Sequence, residues 1–236
     1  MINYAHRGAS EYAPENTLSS FYMGLMMGAN GIETDVQRTK DGVLVLFHDD
    51  TLARVTGEKG SVCDYTLEEL KNFKVTGNAP TYFYDTIPTL REFLEVFAKY
   101  DINFAIELKE CGYESEVLAL LEAFGMKDKT TITSFKFECI EAVKNTDSSW
   151  RVGWLVAAVD DDTIKKLLSI GGEEMAPAAT PLTEEKVAVL RENGLGVRAW
   201  GVKNVELMKK MCKLKVDGMT VNFPDRLNSY LGSQPM

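Results

Sequence analysis

Residues 130–178 read TTITSFKFECIEAVKNTDSSWRVGWLVAAVDDDTIKKLLSIGGEEMAPA, and this stretch decides the fold. Short runs rich in β-branched and apolar residues alternate in it with longer segments of mixed charge and apolar residues. Such alternation indicates parallel strands joined by crossover helices. The predicted elements are the strand Thr130–Phe135, the helix Lys136–Asn145, the strand Arg151–Val156, the helix Thr163–Ile170 and the strand Glu174–Ala178.

The same alternation extends towards both ends of the chain. The other predicted strands are Ile2–Ala5, Gly31–Val36, Phe104–Leu108, Gly196–Val202 and Gly218–Asn222. The other predicted helices are Thr17–Met27, Thr89–Lys99, Glu114–Phe124, Thr183–Asn193, Asn204–Cys212 and Pro224–Tyr230. Repeated strand–helix units in a chain of 236 residues predict an α/β fold, a closed (β/α)₈ TIM barrel, which typically has about 250 residues. We therefore predict one barrel domain over residues 1–236.

The segment after the second strand departs from this alternation. Thr39–Gly42 predicts a hairpin turn that returns the chain along Val43–His48. Residues 49–86 show no strand–helix unit, apart from a predicted helix at Thr66–Phe73. A long irregular segment is typical of a lid or a small inserted subdomain, and its aromatic residues Tyr82–Tyr84 would pack that insertion or shape the mouth of a pocket.

The charge balance excludes several classes of partner. The chain has 26 basic and 35 acidic residues, a net charge of -9. A protein this acidic has no general attraction to nucleic acid or to an anionic membrane. The longest apolar runs are also too short to span a bilayer. We expect a small-molecule ligand, and any phosphate must be held locally by a metal or by a few placed cations.

The cysteines and the N-terminus predict a cytoplasmic protein. No CxxC pair or metal-finger spacing occurs, and free thiols in a reducing cytosol are therefore expected. The N-terminal residues 1–8 have no basic region followed by an apolar run, so no signal peptide is predicted. The sequence gives no indication of oligomeric state. The cysteines are Cys63, Cys111, Cys139 and Cys212.

The chain has only two histidines, His6 and His48. His6 follows the first predicted strand, and His48 ends the returning strand of the hairpin. Both are thus expected near strand carboxyl ends, where TIM barrels place their active sites. A lone histidine is more often structural, but two at this rim favour a catalytic pair.

Paired acidic residues recur at the same rim. Glu33 and Asp35 are separated by one residue on a strand, so their side chains share a face. Strands of a parallel barrel are buried on both faces, where two carboxylates would repel each other unless a cation joins them. Glu107 and Lys109 repeat this spacing; they would form a plain ion pair, or give Glu107 to the metal and Lys109 to a substrate oxygen.

Two metal sites are compatible with these residues. The carboxylates of Glu33, Asp35 and Glu107 suit one hard divalent cation, Mg²⁺ or Ca²⁺. Alternatively, His6 and His48 would be ligands of a zinc- or iron-like site.

Arg7 and Trp200 are candidate substrate-binding residues. The Arg7 guanidinium matches phosphate oxygens with a bidentate set of donors. Its position next to His6 in the sequence supports a substrate-binding role. Trp200, at the end of a predicted strand, would be packing or an apolar wall for the substrate carbons.

An ordered set of motifs resembles the glycerophosphodiester phosphodiesterase family, in its bacterial cytoplasmic type. The second half of the chain matches more loosely, through Ser134-Phe135, Trp200 and Asp217-Gly218. In the first half, the matching pieces are His6-Arg7-Gly8, Pro14-Glu15-Asn16-Thr17, Glu33-Thr34-Asp35-Val36, Thr39-Lys40-Asp41-Gly42, His48-Asp49 with Leu52 and Arg54, Ile87-Pro88-Thr89-Leu90, and Glu107-Leu108-Lys109.

The resemblance implies hydrolysis of glycerophosphodiesters to glycerol 3-phosphate and an alcohol, on a barrel with an insertion after its second strand. It implies three metal-binding carboxylates, an acid–base pair of histidines and two cations that steady the phosphate. In that order these are Glu33, Asp35 and Glu107, then His6 and His48, then Arg7 and Lys109.

The chain departs from the family pattern in two places. Val221-Asn222 stands where the family usually has Thr-Asp, and Gly201 stands where a Thr often follows the tryptophan. Two other functions remain open. One is a phospholipase D-like lyase that makes a cyclic phosphate from lysolipids; such proteins are extracellular and usually carry a disulfide near the site. The other is a non-catalytic barrel that binds a phosphodiester.

Overall fold

The computed structural model describes residues 1–76 and 83–233. The strands are β1 (Ile2–His6), β2 (Gly31–Arg38), β3 (Leu44–Leu46), β4 (Asn103–Leu108), β5 (Thr130–Ser134), β6 (Arg151–Val156), β7 (Glu174–Pro177), β8 (Gly196–Val202) and β9 (Gly218–Val221). The helices are α1 (Leu18–Met26), α2 (Ala53–Thr56), α3 (Leu67–Leu70), α4 (Leu90–Phe97), α5 (Glu114–Ala123), α6 (Phe137–Thr146), α7 (Asp161–Ser169), α8 (Glu184–Glu192), α9 (Val205–Lys213) and α10 (Pro224–Gly232).

The parallel strands close into a barrel. β1 pairs with β9 on one side and with β2 on the other, so β1, β2 and β4 to β9 form a ring of eight strands within the described residues. β3 pairs antiparallel with β2 and lies outside this ring. The predicted TIM barrel and its hairpin are confirmed.

Local sequence explains where the helices begin. The Thr89 hydroxyl caps α4 by accepting from the Glu92 N–H, while the Glu92 carboxylate accepts from the Thr89 N–H. The side chains of Thr183 and Asn204 cap α8 and α9. The side chain of Thr17 caps α1. The helices then bury apolar faces against the barrel in one large core.

The predicted helix bounds lie within two residues of the observed ones, with one exception. The helix predicted at Thr66–Phe73 is only α3, because the chain passes into turns after Leu70. The helix predicted to begin at Thr163 begins two residues earlier, because the side chain of Asp160 caps it.

The segment after β3 has an apolar core of its own. Its members pack beside the barrel and are Val45, Phe47, Leu52, Val55, Val62, Leu70, Val75 and Ile87. Of the predicted aromatic trio, Tyr82 lies outside the described residues, Phe83 is half-buried and Tyr84 is exposed under the Lys74 ammonium. The assignment of residues 49–86 as a lid or subdomain stays a prediction.

The prediction of free thiols is wrong for two of the four cysteines. Cys111 and Cys139 form a disulfide, whereas Cys63 and Cys212 are free. Cys111 lies in the loop after β4 and Cys139 lies in the first turn of α6, which follows the neighbouring strand β5. The barrel therefore brings together two residues separated by 28 positions, and their spacing alone gave no sign of it.

An ion pair fills the barrel interior beneath the rim. Arg198 of β8 is almost fully buried and donates through Nε to Glu174 Oε1 of β7, at 2.8 Å. The guanidinium also lies over the Tyr4 ring. Buried charges normally occur in such pairs, and this pair makes the barrel interior beneath the rim polar.

Among the described residues, no helix combines the length and the apolar character that crossing a bilayer requires.

Candidate active site

The predicted catalytic side chains lie near the carboxyl ends of neighbouring strands. His6 ends β1 and is in register with Glu33 of β2, while Asp35 of β2 is in register with Glu107 of β4. Because alternate residues of a strand share a face, the two β2 carboxylates are presented on one side. The pairing of three adjacent strands thus gathers these four side chains.

A cavity of about 350 Å³ opens at this rim. Asp35 and Lys109 lie behind its wall, in contact with residues that line it. A wider groove of about 620 Å³ lies over α4 and α5 and is lined by neither histidine, so the chemistry belongs to the smaller cavity. The predicted residues that line the smaller cavity are His6, Arg7, Glu33, His48, Glu107 and Trp200.

The three carboxylates form a compact buried cluster. One oxygen each of Glu33, Asp35 and Glu107 lies within 4.8 Å of the others. Burial, and then the charge of Asp35, raise the pKa of both glutamates well above its usual range. Burial alone would raise the pKa of Asp35 too, but nearby positive charges lower it. The Arg7 guanidinium has the largest lowering effect. Fully ionised, the cluster would therefore hold more negative charge than its surroundings compensate.

One oxygen of this cluster lacks a hydrogen bond. Asp35 Oδ1 is buried and has no hydrogen-bond partner among the residues described. The ammonium of Lys109 lies 3.6 Å away from it. A buried carboxylate oxygen without a hydrogen bond, beside two further carboxylates, is a donor set that fits a hard divalent cation.

The two predicted phosphate ligands contact the carboxylates. Arg7 Nε lies 3.2 Å from Asp35 Oδ2, and Lys109 Nζ lies 2.7 Å from Glu107 Oε1. Arg7 also donates through Nη1 to Glu15 Oε1, at 2.9 Å. Its backbone has a φ of 56° and is followed by Gly8 at 82°, so the chain turns sharply as it leaves β1. These two cations approach different oxygens of Asp35.

His6 is held by the residue that departs from the family pattern. Its Nδ1 lies 2.6 Å from the amide oxygen of Asn222, just after β9. Because that oxygen accepts, Nδ1 carries the hydrogen and Nε2 keeps its lone pair. Nε2 lies 3.9 Å from Glu33 Oε2. Burial, with the nearby Arg7 guanidinium, lowers the pKa of His6 to about 3, so the imidazole is neutral at neutral pH.

His48 is held by a carboxylate. Its Nδ1 lies 2.7 Å from Asp49 Oδ1, which accepts the hydrogen. Asp49 is in turn paired with Arg54, whose Nε lies 2.6 Å from Asp49 Oδ2. The Nε2 atom of His48 is therefore the one available for chemistry, as it is in His6.

Sequence reasoning missed the roles of Glu15 and Asn16. Glu15 pairs with both Arg7 and Arg54. Asn16, which directly precedes the cap of α1, donates from Nδ2 to Asp35 Oδ2 at 2.9 Å. Its φ of 53° turns the side chain away from the helix and towards the site. The only sequence signal was the Pro14–Thr17 motif, which carried no indication of these partners.

Trp200 is both a packing residue and a wall of the cavity. Its Nε1 donates to the backbone oxygen of Val156 at 3.0 Å, and its ring meets Phe135 edge to face at 5.0 Å. The pairing of β8 with β9 is irregular between Ala199 and Val202, and Gly201 has a φ of 70° there. This left-handed conformation explains why glycine suits the position after the tryptophan.

Comparison with known proteins decides the family. A model of the glycerophosphoryl diester phosphodiesterase family matches residues 6–226. The chain belongs to this family. The glycerophosphodiester phosphodiesterase of Bacillus altitudinis is 35% identical over 94% of the chain and 95% of its own length. That of Caldanaerobacter subterraneus subsp. tengcongensis is 32% identical over 94% of each.

Solved phosphodiesterase structures share the fold. A phosphodiesterase from Oleispira antarctica, solved in complex with the product sn-glycerol-3-phosphate, is 28% identical and has a TM-score of 0.91, covering 99% of this chain and 97% of its own. A glycerophosphodiester phosphodiesterase structure from Agrobacterium tumefaciens is 25% identical with a TM-score of 0.84, covering 97% of this chain and 99% of its own. As a glycerophosphoryl diester phosphodiesterase, the chain is an enzyme, a phosphoric diester hydrolase.

Proposed function

We propose that the chain hydrolyses glycerophosphodiesters to glycerol 3-phosphate and an alcohol, by metal-dependent acid–base catalysis. The observation that carries the proposal is the grouping of three buried carboxylates with two histidines at one cavity. Family membership and the product-bound relative from Oleispira antarctica support the substrate class.

Glu33, Asp35 and Glu107 would hold one divalent cation, Mg²⁺ or Ca²⁺. Carboxylate oxygens favour a hard ion. Among the described residues, the cluster formed by these three carboxylates includes neither histidine. The alternative of a zinc- or iron-like site on His6 and His48 is therefore disfavoured. When bound, the cation would neutralise charge on the phosphoryl oxygens.

His6 and His48 would act as the acid–base pair. One activates the nucleophile and the other protonates the leaving alkoxide, each through Nε2. The nucleophile is water, or the neighbouring glycerol hydroxyl by way of a cyclic phosphate. Each such group contributes roughly 10²–10⁴-fold to rate, so most of the remaining acceleration must come from charge stabilisation at the phosphate.

Arg7 and Lys109 would stabilise the phosphate. Both lie against the acidic cluster, so a substrate oxygen that approaches the cluster also approaches these cations. Trp200 would supply an apolar wall for the glycerol carbons, because it lines the cavity while its Nε1 is already bonded.

The cheapest test is a coupled assay for release of glycerol 3-phosphate from a glycerophosphodiester, with and without EDTA. Activity should disappear with EDTA and return with added Mg²⁺ or Ca²⁺. His6→Ala and His48→Ala should each lower kcat by about 10²–10⁴-fold, whereas Glu116→Gln, an exposed carboxylate of α5 away from the cavity, should change nothing. Near-normal turnover in either histidine variant, or in EDTA, would refute the mechanism.

The Cys111–Cys139 disulfide favours one alternative, the phospholipase D-like lyase. A lyase would convert lysophosphatidylcholine to a cyclic phosphate and incorporate no solvent oxygen. Product analysis in ¹⁸O-water separates the two reactions, because hydrolysis places the label in glycerol 3-phosphate. The non-catalytic barrel is disfavoured, since both histidines and all three carboxylates are in place.

A further inference from the structure

His48 lies outside the ring of barrel strands, in the segment that follows β3, yet it lines the same cavity as Glu33 and Glu107. The backbone of a barrel strand places the two glutamates, but it does not place His48. The position of its imidazole therefore depends on the contacts that join this segment to the barrel.

Hydrogen bonds from Phe47 N–H to a β2 carbonyl, and from Gln37 Nε2 to the carbonyls of Phe47 and Asp49, hold the main chain beside His48. Arg54 is the centre of the side-chain contacts that hold the Asp49 carboxylate. Its Nε and Nη2 donate to the two oxygens of Asp49, at 2.6 and 2.9 Å. Its Nη1 and Nη2 donate to the two oxygens of Glu15, at 2.6 and 2.7 Å. The Arg54 guanidinium thus makes a bidentate interaction with each of two carboxylates, a geometry that a lysine ammonium cannot reproduce.

Glu15 carries the connection to the barrel. It lies in the loop between β1 and α1, with only 10% of its side chain exposed, and its Oε1 also accepts from Arg7 Nη1 at 2.9 Å. Arg7 directly follows β1 and pairs with Asp35 of β2. A continuous series of ion pairs therefore runs from the barrel wall to Asp49, and Asp49 accepts the hydrogen of His48 Nδ1.

We infer that Glu15 and Arg54 are positioning residues that hold the His48 imidazole over the carboxylate cluster by way of Asp49. This inference rests on the proposed catalytic role of His48. Neither residue acts on the substrate in this account: both hold Asp49, and Asp49 sets the tautomer and orientation of the ring.

The kinetic test uses Arg54→Lys, which keeps the positive charge but removes the bidentate hydrogen bonds. We expect kcat for a glycerophosphodiester to fall by about 10–100-fold, as for other residues that orient a catalytic ligand, with KM within about twofold of the wild type. The control is Arg38→Lys, which alters an arginine of similar exposure that pairs with Glu116 away from the cavity and should leave both constants unchanged.

A second measurement observes the ring itself. The chain has only two histidines, so a ¹H–¹⁵N spectrum of the imidazoles contains two sets of signals, and His48→Ala assigns them. Arg54→Lys should shift the His48 nitrogens towards a mixture of tautomers and leave those of His6 in place. Glu15→Gln should shift the His48 nitrogens in the same way. Arg38→Lys should shift neither.

The outcomes distinguish a positioning role for Arg54 from a substrate-binding role, and both from a failure of the proposed function. Unshifted His48 signals in Arg54→Lys, or a kcat within about twofold of wild type, would overturn the inference. A raised KM with unchanged kcat would also overturn it, because Arg54 would then bind substrate. If Arg54→Lys does not fold, Glu15→Gln is judged by the His48 signal alone, since its kinetics also report on Arg7. Normal turnover in His48→Ala would refute the proposed function instead, and the spectra would still decide whether the ring is held.

Discussion

At the scale of single residues, the two histidines differ in the partner that holds Nδ1. Asn222 holds His6 through a neutral amide, whereas Asp49 holds His48 through a carboxylate. An amide oxygen carries no net charge, so it stabilises a protonated imidazole less than a carboxylate does. The departure from the family pattern at Asn222 therefore falls on the environment of His6, and not on a distant loop.

Residue types and local spacing predicted the carboxylate cluster, because Glu33 and Asp35 share a strand face whatever the rest of the fold does. The partners of these residues were not predictable in the same way. Glu15 and Arg54 are separated by 39 positions, and their pairing depends on how the segment after β3 folds back on the barrel. Only the tertiary structure contains that information.

The raised pKa values of Glu33 and Glu107 predict that metal binding releases protons. In the metal-free protein both carboxyls keep protons to higher pH than usual, and a cation that binds their oxygens must displace those protons. Calorimetric titration with Ca²⁺ at about pH 6, in buffers of different ionisation enthalpy, should show release of about two protons per ion, because the pKa values of both glutamates lie above that pH. The release should diminish as the pH rises above the pKa of these groups.

Glu107→Gln is the informative variant for this titration, because it removes one titrating ligand. It should bind Ca²⁺ more weakly and release fewer protons. Observed heats that do not depend on the buffer, together with normal affinity in Glu107→Gln, would contradict the assigned ligands.

At the scale of elements, the loop that follows β4 is the part of the site that sequence reasoning described least well. Lys109 begins this loop, and Cys111, two residues later, is bonded to Cys139 of α6. The disulfide thus ties the loop that carries Lys109 to the neighbouring helix. Disulfides persist in oxidising compartments, so this bond is an observation against the predicted cytoplasmic location, which stays a prediction.

The disulfide should stabilise the fold measurably. Closing a loop of 28 residues lowers the entropy of the unfolded chain by an amount equivalent to about 3.6 kcal/mol at 25 °C. Urea unfolding of the wild type, with and without a reductant, should differ by about 2–4 kcal/mol. Cys139→Ser should match the reduced protein and be insensitive to reductant, and Cys63→Ser should behave as wild type. Equal stability of the oxidised and reduced wild type would show that the bond contributes nothing.

At the scale of the whole molecule, the closed barrel explains why a few residues near strand ends were enough to predict the site. A closed parallel sheet sends the carboxyl ends of all its strands to one rim, so residues far apart in sequence meet without specific long-range signals. The alternation of strands and helices was sufficient to predict that closure and hence the approximate grouping of His6, Glu33, Asp35 and Glu107. It was not sufficient for the residues outside the ring, whose positions follow from side-chain contacts.

We propose that this rim holds one cation between three carboxylates, with a histidine on either side. Anomalous diffraction from crystals soaked in Mn²⁺ would locate that cation. We expect one strong peak within bonding distance of Glu33, Asp35 and Glu107, with His6 and His48 nearby but unbonded. A peak bonded to the histidines instead, or no peak at the carboxylates in crystals of active enzyme, would contradict it.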